Sequence, residues 1–363
     1  MPHIAVLGGD GIGPEVTRAA LTVLRAVRDD IAFEHCLFGG AGLAAGLPAF
    51  PESTRVACER ADAVLFGAVG DARFDTLPPS ERPESALLAI RRHFELYANV
   101  RPARVLPGAQ RVSPLRPEVL AGADLVVVRE LAGGLYYGEP KARYARDGVR
   151  AAVDTLAYDE REIERVVRVA FDLARTRRRR LTSVDKSNVL ETSRLWRAVV
   201  CEVAASYPDV ALEHLLVDTA AMHLVCRPSR FDVMVTENTF GDILSDEAAA
   251  IAGSIGALPS ASFGDARNSC GGRFGLYEPI AGSAPDIAGK NRANPIGAML
   301  SAGMLLEASL ADVDGNRRIV DAVEHVLEAG IATPDMDPSP ERAVSTTEFT
   351  EHVVNALVSV AAC

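Results

Sequence analysis

Short apolar runs alternate along this chain with longer stretches whose apolar residues recur at helical spacing. Strand-type runs occupy residues 4–7, 63–66, 125–128, 181–184, 210–216 and 231–235. Helix-period stretches follow several of them, at 14–27, 83–93, 160–175, 190–205 and 243–251. This alternation predicts an α/β fold built on a largely parallel sheet. The C-terminal part, 294–358, reads as mainly helical. Residues 136–156, rich in Tyr, Arg, Gly and Asp, lack a helix period and read as a protruding arm or hairpin. No internal repeat or low-complexity linker interrupts the pattern.

Composition narrows the picture. The 363 residues are 48% apolar and 24% charged, which excludes intrinsic disorder and predicts about two domains. The formal charge of −11 disfavours nucleic acid and anionic membrane as partners. No run approaches the ~20 apolar residues of a membrane span. The N-terminus enters a strand-like segment without a basic region, so no signal peptide is expected. Six scattered cysteines without a CxxC pair suit a reduced, cytoplasmic protein. The four arginines at 177–180 read as a solvated helix end.

Several motifs fail on spacing. Gly9-Asp10-Gly11-Ile12-Gly13 lies between a strand and a helix, but its third glycine comes one residue too early for a dinucleotide fingerprint. What remains is a tight turn with Pro14 in the first helical turn. Ser183-Val184-Asp185-Lys186 has the SxxK spacing but no KTG or SDN partner. The stretch 284–290 misses the Walker A pattern, because Ala284 stands in place of its first glycine and Asn291 in place of Ser/Thr.

Others hold. Asp242 and Asp246 stand four apart in Gly241-Asp242-Ile243-Leu244-Ser245-Asp246, on one helix face. Two carboxylates so placed repel unless solvated or bridged by a cation, and an all-oxygen donor set suits Mg²⁺ or Mn²⁺. Asp218 and Lys186 end two further apolar runs, where parallel α/β folds place their sites. Arg91, Arg101 and Arg129 supply guanidinium forks that match carboxylates. For Arg129, an internal pair with Glu130 is the plain alternative. A Gly/Ser/Ala-rich loop with an embedded acid, Gly282-Ser283-Ala284-Pro285-Asp286, leads on to Asn294-Pro295; on composition alone it reads as an ordinary irregular loop, with a fit around an adenine ribose as the alternative. Arginines, a dication site and a lysine together point to a small polycarboxylate substrate.

Taken jointly, these motifs resemble the β-decarboxylating dehydrogenases, the isocitrate/isopropylmalate dehydrogenase family. The resemblance runs from Ile4 to about Glu307. Its strongest pieces are Arg129-Glu130-Leu131 with Tyr136-Tyr137-Gly138-Glu139-Pro140, Val184-Asp185-Lys186-Ser187-Asn188-Val189-Leu190, the 241–246 run and the 282–294 loop. It implies a two-domain, non-Rossmann fold, with 1–97 plus 253–363 forming a cofactor domain and 98–252 a central dimerisation and metal/substrate domain. It further implies a homodimer with shared active sites and NAD-dependent oxidative decarboxylation of 3-isopropylmalate in leucine biosynthesis. Another 3-substituted malate as substrate, or a catalytically silent binding subunit, are the alternatives.

The same resemblance assigns roles. Arg91, Arg101 and Arg129 hold the malate carboxylates. Asp242 and Asp246 bind the divalent ion, with Asp218 contributed from the neighbouring subunit. Lys186, also from the neighbour, accepts the C2 hydroxyl proton, and Tyr136 protonates carbon after CO₂ leaves. Glu84, Leu87, Leu88 and Val189 meet the C3 substituent; the leucines suit an alkyl group and cannot pair a buried carboxylate. Gly282, Ser283, Ala284, Pro285, Asp286, Asn294 and Glu278 face the cofactor. Asp286 is placed to bind free ribose hydroxyls and repel a 2′-phosphate, which favours NAD over NADP. Three departures stand out. Ala281 replaces a histidine frequent in relatives, the 265–272 loop is long, and 335–345 lacks a usual Gly-Gly.

Overall fold

The computed structural model describes residues 1–337, 339 and 341–360. Its strands are β1 (His3–Gly9), β2 (Ala32–Cys36), β3 (Ala63–Ala68), β4 (Ala98–Arg104), β5 (Asp124–Glu130), β6 (Ala142–Arg146), β7 (Val149–Val153), β8 (Arg180–Asp185), β9 (Ala211–Leu216), β10 (Val233–Thr236), β11 (Pro259–Arg267) and β12 (Arg273–Pro279). The chain divides into two compact units. The first comprises Met1–Leu96, Arg104–Arg116 and the chain from Ala249 onward; the second comprises Tyr97–Ala103 and Pro117–Ala248.

In the first unit the strand order is β2-β1-β3-β12-β11. Pairing is parallel except for the β11–β12 hairpin. β3 is buried along its whole length, as a parallel strand covered on both faces must be. The helix Gly13–Val27 buries Val16, Ala20, Val23 and Leu24 along one stripe, with Pro14 in its first turn. The helix Ile296–Leu310 is buried on nearly all sides between β12 and neighbouring helices.

In the second unit the order is β4-β5-β10-β8-β9, with β5, β10, β8 and β9 parallel. The helices Glu160–Arg175 and Glu191–Ala204 pack on each other. The first begins at a capping box, in which Asp159 accepts from the Glu162 N–H and Glu162 accepts from the Asp159 N–H. The stretch 136–156 contains the exposed two-stranded hairpin β6–β7. The 177–180 arginines are more engaged than a solvated helix end. Asp232, almost fully buried, accepts from Arg177 Nε at 2.8 Å and from the Arg178 N–H at 2.9 Å, which ties the entry of β8 to that of β10.

Candidate active site

The C-terminal ends of β5, β10 and β8 bring functional side chains together. Arg129 and Glu130 close β5, and their alternation sends them to opposite faces. The Arg129–Glu130 pair therefore does not form as their first contact. Arg129, 2% exposed, ion-pairs Asp242, and its Nε and Nη2 donate to Asn238 Oδ1 at 3.0 and 2.8 Å. Glu130 turns its carboxylate to the loop that follows, accepting from the Ala132 and Gly133 N–H groups at 2.7 and 2.8 Å.

Asp242 lies in the helix Asn238–Ala252, which begins five residues before the periodic stretch at 243–251. The first turn, Asn238-Thr239-Phe240-Gly241, carries one apolar residue among two polar ones and a glycine, so hydropathy alone conceals it. Gly241 is needed there, because a Cβ would meet Arg129 Cγ at 2.7 Å. Asp242 and Asp246 do share a face: Arg101 Nη1 lies 3.7 Å from one carboxylate and 3.6 Å from the other. Arg101 is held in turn by Asn99 Oδ1 at 2.5 Å and Ser245 Oγ at 2.8 Å. Tyr136 Oη donates to Asp242 Oδ2 at 2.8 Å. Partial burial, and then this bond to a carboxylate, raise the Tyr136 phenol above its ordinary value. Desolvation likewise raises the Asp246 carboxyl; Arg101 opposes the shift and Asp242 adds to it. Two carboxylates crowding one guanidinium form an anionic oxygen pair of the kind a hard dication takes.

Lys186 and Asp218 stand apart from that cluster. Val184 and Arg129 flank Thr236 in the registers of β8 and β5, so the two backbones are roughly 10 Å apart, two strand spacings. Lys186 ion-pairs Asp218, whose carboxyl is held below its usual value by that bond. Asp218 follows the end of β9 by two residues and lies in the first turn of the helix Val217–Cys226. The turn carrying Lys186 is rigid at its root, because buried Asp185 takes two bonds from Arg197, at 2.9 and 3.0 Å, and one from the Ser187 N–H. Val189 is 63% exposed. Among the described residues no three of His, Cys, Asp and Glu gather to hold a metal ion. Within one chain Asp242 and Asp246 meet, and Asp218 is engaged with Lys186.

In the first unit, Arg91 on the helix Pro83–His93 donates through Nη2 to Glu278 Oε1 at 2.8 Å, both side chains 8% exposed. Glu278 thus faces Arg91. Arg91 Nε is buried with no hydrogen-bond partner among the described residues. Glu84 is exposed, while Leu87 and Leu88, half-buried, precede Arg91 by one turn.

The 282–286 loop is anchored where the Gly9–Gly13 turn meets it, through a bond from the Ile12 N–H to the Ser283 carbonyl at 2.8 Å. The turn itself is set by Asp10, whose buried carboxylate accepts from the N–H groups of Gly40, Ala41 and Gly70. Beside this loop lies a mainly apolar cavity of ≈ 370 Å³ that includes Ile12, Ala281, Ala284, Ile287, Arg292 and Asn294 in its lining. Its size is within the ordinary range for small-molecule sites. Asn294 is held by Asp335 at 2.9 Å. Of the seven residues expected at the cofactor, Ala284 and Asn294 line this cavity; Asp286 is exposed beside Ile287. Sequence reasoning passed over Asp10, Asn238, Glu237, Tyr158 and Asp335. Only Asp10 carried a signal, as the single charge inside a glycine turn.

The sequence model of the isocitrate/isopropylmalate dehydrogenase family matches residues 3–353, and the chain belongs to that family. The 3-isopropylmalate dehydrogenase of Symbiobacterium thermophilum is 54% identical over 341 residues, covering 92% of each chain. That of Bacillus subtilis is 50% identical over 362 residues, covering 98% of this chain and 97% of its own. Among solved structures, isocitrate dehydrogenase from Methylococcus capsulatus matches at a TM-score of 0.87 and 33% identity, over 98% of this chain and 99% of that one. A β-decarboxylating dehydrogenase from Thermococcus kodakarensis, in its apo form, matches at 0.80 and 35% identity, over 100% and 98%.

Proposed function

We propose that this protein catalyses the NAD-dependent oxidative decarboxylation of 3-isopropylmalate to 4-methyl-2-oxopentanoate, a step of leucine biosynthesis. The observation that carries the reading is the cluster of Arg101, Arg129 and Tyr136 about Asp242 and Asp246, in a chain about half identical to 3-isopropylmalate dehydrogenases. When bound, NAD supplies the hydride acceptor and Mg²⁺ or Mn²⁺ supplies Lewis acidity at the C2 oxygen.

The chain's own groups do the rest. Arg101 and Arg129 take substrate carboxylate oxygens, exchanging their present carboxylate partners for substrate and ion. Arg91 takes another carboxylate oxygen. Tyr136, kept protonated through the neutral range, returns a proton to C3 after CO₂ leaves. Asp242 and Asp246 supply two oxygen ligands for the dication. Lys186, released from Asp218 and in its neutral amine form, accepts the C2 hydroxyl proton to become the ammonium, and Asp218 is a third metal ligand; both serve the site of a second copy in a homodimer. Leu87 and Leu88 favour an alkyl substituent, with Glu84 and the neighbouring copy's Val189 beside it.

For the cofactor, the cavity beside the 282–286 loop accepts the adenosine, with Asn294 and Ala284 against it. Asp286 favours a ribose with both hydroxyls free. The five described cysteines are free thiols, in keeping with work in a reducing cytoplasm. No helix among the described residues is long and apolar enough to cross a membrane. The direct test is NADH formation from 3-isopropylmalate and NAD in the presence of Mg²⁺. The reading predicts turnover that excess EDTA abolishes; turnover that persists in EDTA would remove the divalent ion from it.

A further inference from the structure

We infer that Asn238, a residue outside the roles just described, is a positioning residue that sets Arg129 and the Tyr136 loop in one geometry; this rests on the functions proposed for those two side chains. Asn238 is 1% exposed, and both the oxygen and the nitrogen of its amide are engaged. Oδ1 receives both Nε and Nη2 of Arg129, and Nδ2 donates to the Gly133 carbonyl at 3.0 Å. One side chain therefore links the end of β5 to the loop that carries Tyr136, from the helix that carries Asp242. An amide is suited to this place because it accepts from a cation on one side and donates to a carbonyl on the other. A carboxylate has no donor for Gly133, and an aliphatic residue has neither function.

Asn238 is itself fixed. The first N–H groups of a helix have no partner inside it. Here the Asn238 N–H donates to Tyr158 Oη at 3.0 Å, and the Thr239 and Phe240 N–H groups donate to the Glu237 carboxylate at 3.0 and 2.7 Å. Tyr158 Oη also faces Glu237 Oε2, at 3.4 Å. Its ring fills the space under the loop: Gly134 has φ +76°, and a Cβ there would lie 2.6 Å from Tyr158 Oη. Tyr158, part-buried, with buried Glu237 and Asn238 thus joins the helix start to the loop. Asn238, almost fully buried, acts through its two contacts, on Arg129 and on the loop that carries Tyr136.

The test is Asn238→Ala in the full-length protein, read two ways. Amide hydrogen exchange should show residues 131–137 losing protection at least tenfold, with β5 unchanged. In steady state, KM for 3-isopropylmalate should rise and kcat fall, each about tenfold or more, while KM for NAD stays put. The unchanged NAD value separates positioning from general loss of structure. If the alanine variant does not fold, Tyr158→Phe, which removes only the hydroxyl that holds the Asn238 N–H, should move the same quantities in the same direction by less. Unchanged protection at 131–137, or protection lost equally in β5, overturns the inference. Should the wild-type protein fail to turn over 3-isopropylmalate, the functional reading falls while the exchange result still decides the role of Asn238.

Discussion

The Tyr136 hydroxyl donates to Asp242 Oδ2 at 2.8 Å, so the proposed proton donor to carbon and a proposed metal ligand share one hydrogen bond. Arg129 reaches the same carboxylate from the other side. The aspartate is thus a junction among three roles, and its partners hold it in the absence of any ion.

Removal of that junction gives the first prediction. Asp242→Asn should cut turnover on the order of a hundredfold or more, with partial recovery at high Mn²⁺. The fold should persist, because Asp242 is only part-buried and its helix starts on Glu237 and Tyr158. Steady-state rates across a Mn²⁺ titration, with circular dichroism as control, decide it. Near wild-type activity at low metal would take Asp242 out of the ion site.

The separation of Lys186 and Asp218 from the Asp242 cluster makes sharing between two chains testable. Lys186→Met and Tyr136→Phe should each be inactive alone. Mixed after subunit exchange, they should recover some activity, because one site of a mixed dimer carries neither change. Exchange proven by mass spectrometry without recovered activity would place both residues in the same site.

Glu130 gives a prediction on stability. Burial, only partly offset by the Ala132 and Gly133 N–H groups and by Arg165, pushes its carboxyl from 4.5 up to about 7. A carboxyl raised by folding binds its proton more tightly in the folded state. Its contribution is therefore complete below pH 4.5 and is lost as pH rises through about 7. The rise corresponds to roughly 3 kcal/mol across that window. Glu130→Gln has no such titration. In urea unfolding, the stability of wild type minus that of the variant should shrink by about 2–3 kcal/mol between pH 5 and pH 8. A constant difference would mean that Glu130 titrates as an ordinary carboxylate.

How far the sequence foretold this arrangement depended on where each residue's partners lie. Glu160–Arg175 was legible to the residue, since its apolar stripe is local. β4 was not, because Asn99 and Arg101 are buried in it for the sake of the site and break the apolar run. Asp242 and Asp246 were legible from their spacing of four. Asn238 was not, because its meaning lies in Arg129 and Gly133, more than a hundred residues away. Glu130, adjacent to Arg129 in sequence, invited a pairing that strand alternation prevents.

The proposed preference for NAD rests on Asp286, exposed beside the cavity-lining Ile287. Replacing them together, Asp286→Lys with Ile287→Tyr, should shift preference from NAD toward NADP by about tenfold or more, since charge-assisted bonds contribute roughly 1.5–3 kcal/mol each. The ratio of kcat/KM values for the two cofactors measures it. An unchanged ratio would remove Asp286 from the ribose.

The central claim is the substrate, and its most direct measurement is initial NADH formation with a panel of malates that differ at C3. Leu87 and Leu88 offer apolar surface one turn from Arg91 and no partner for an added carboxylate. Each CH₂ buried there contributes ~0.8 kcal/mol. The account predicts that 3-isopropylmalate is favoured over isocitrate by several orders of magnitude in kcat/KM, and over alkyl analogues one carbon shorter or longer by only about tenfold. Isocitrate turned over as well as 3-isopropylmalate would contradict it.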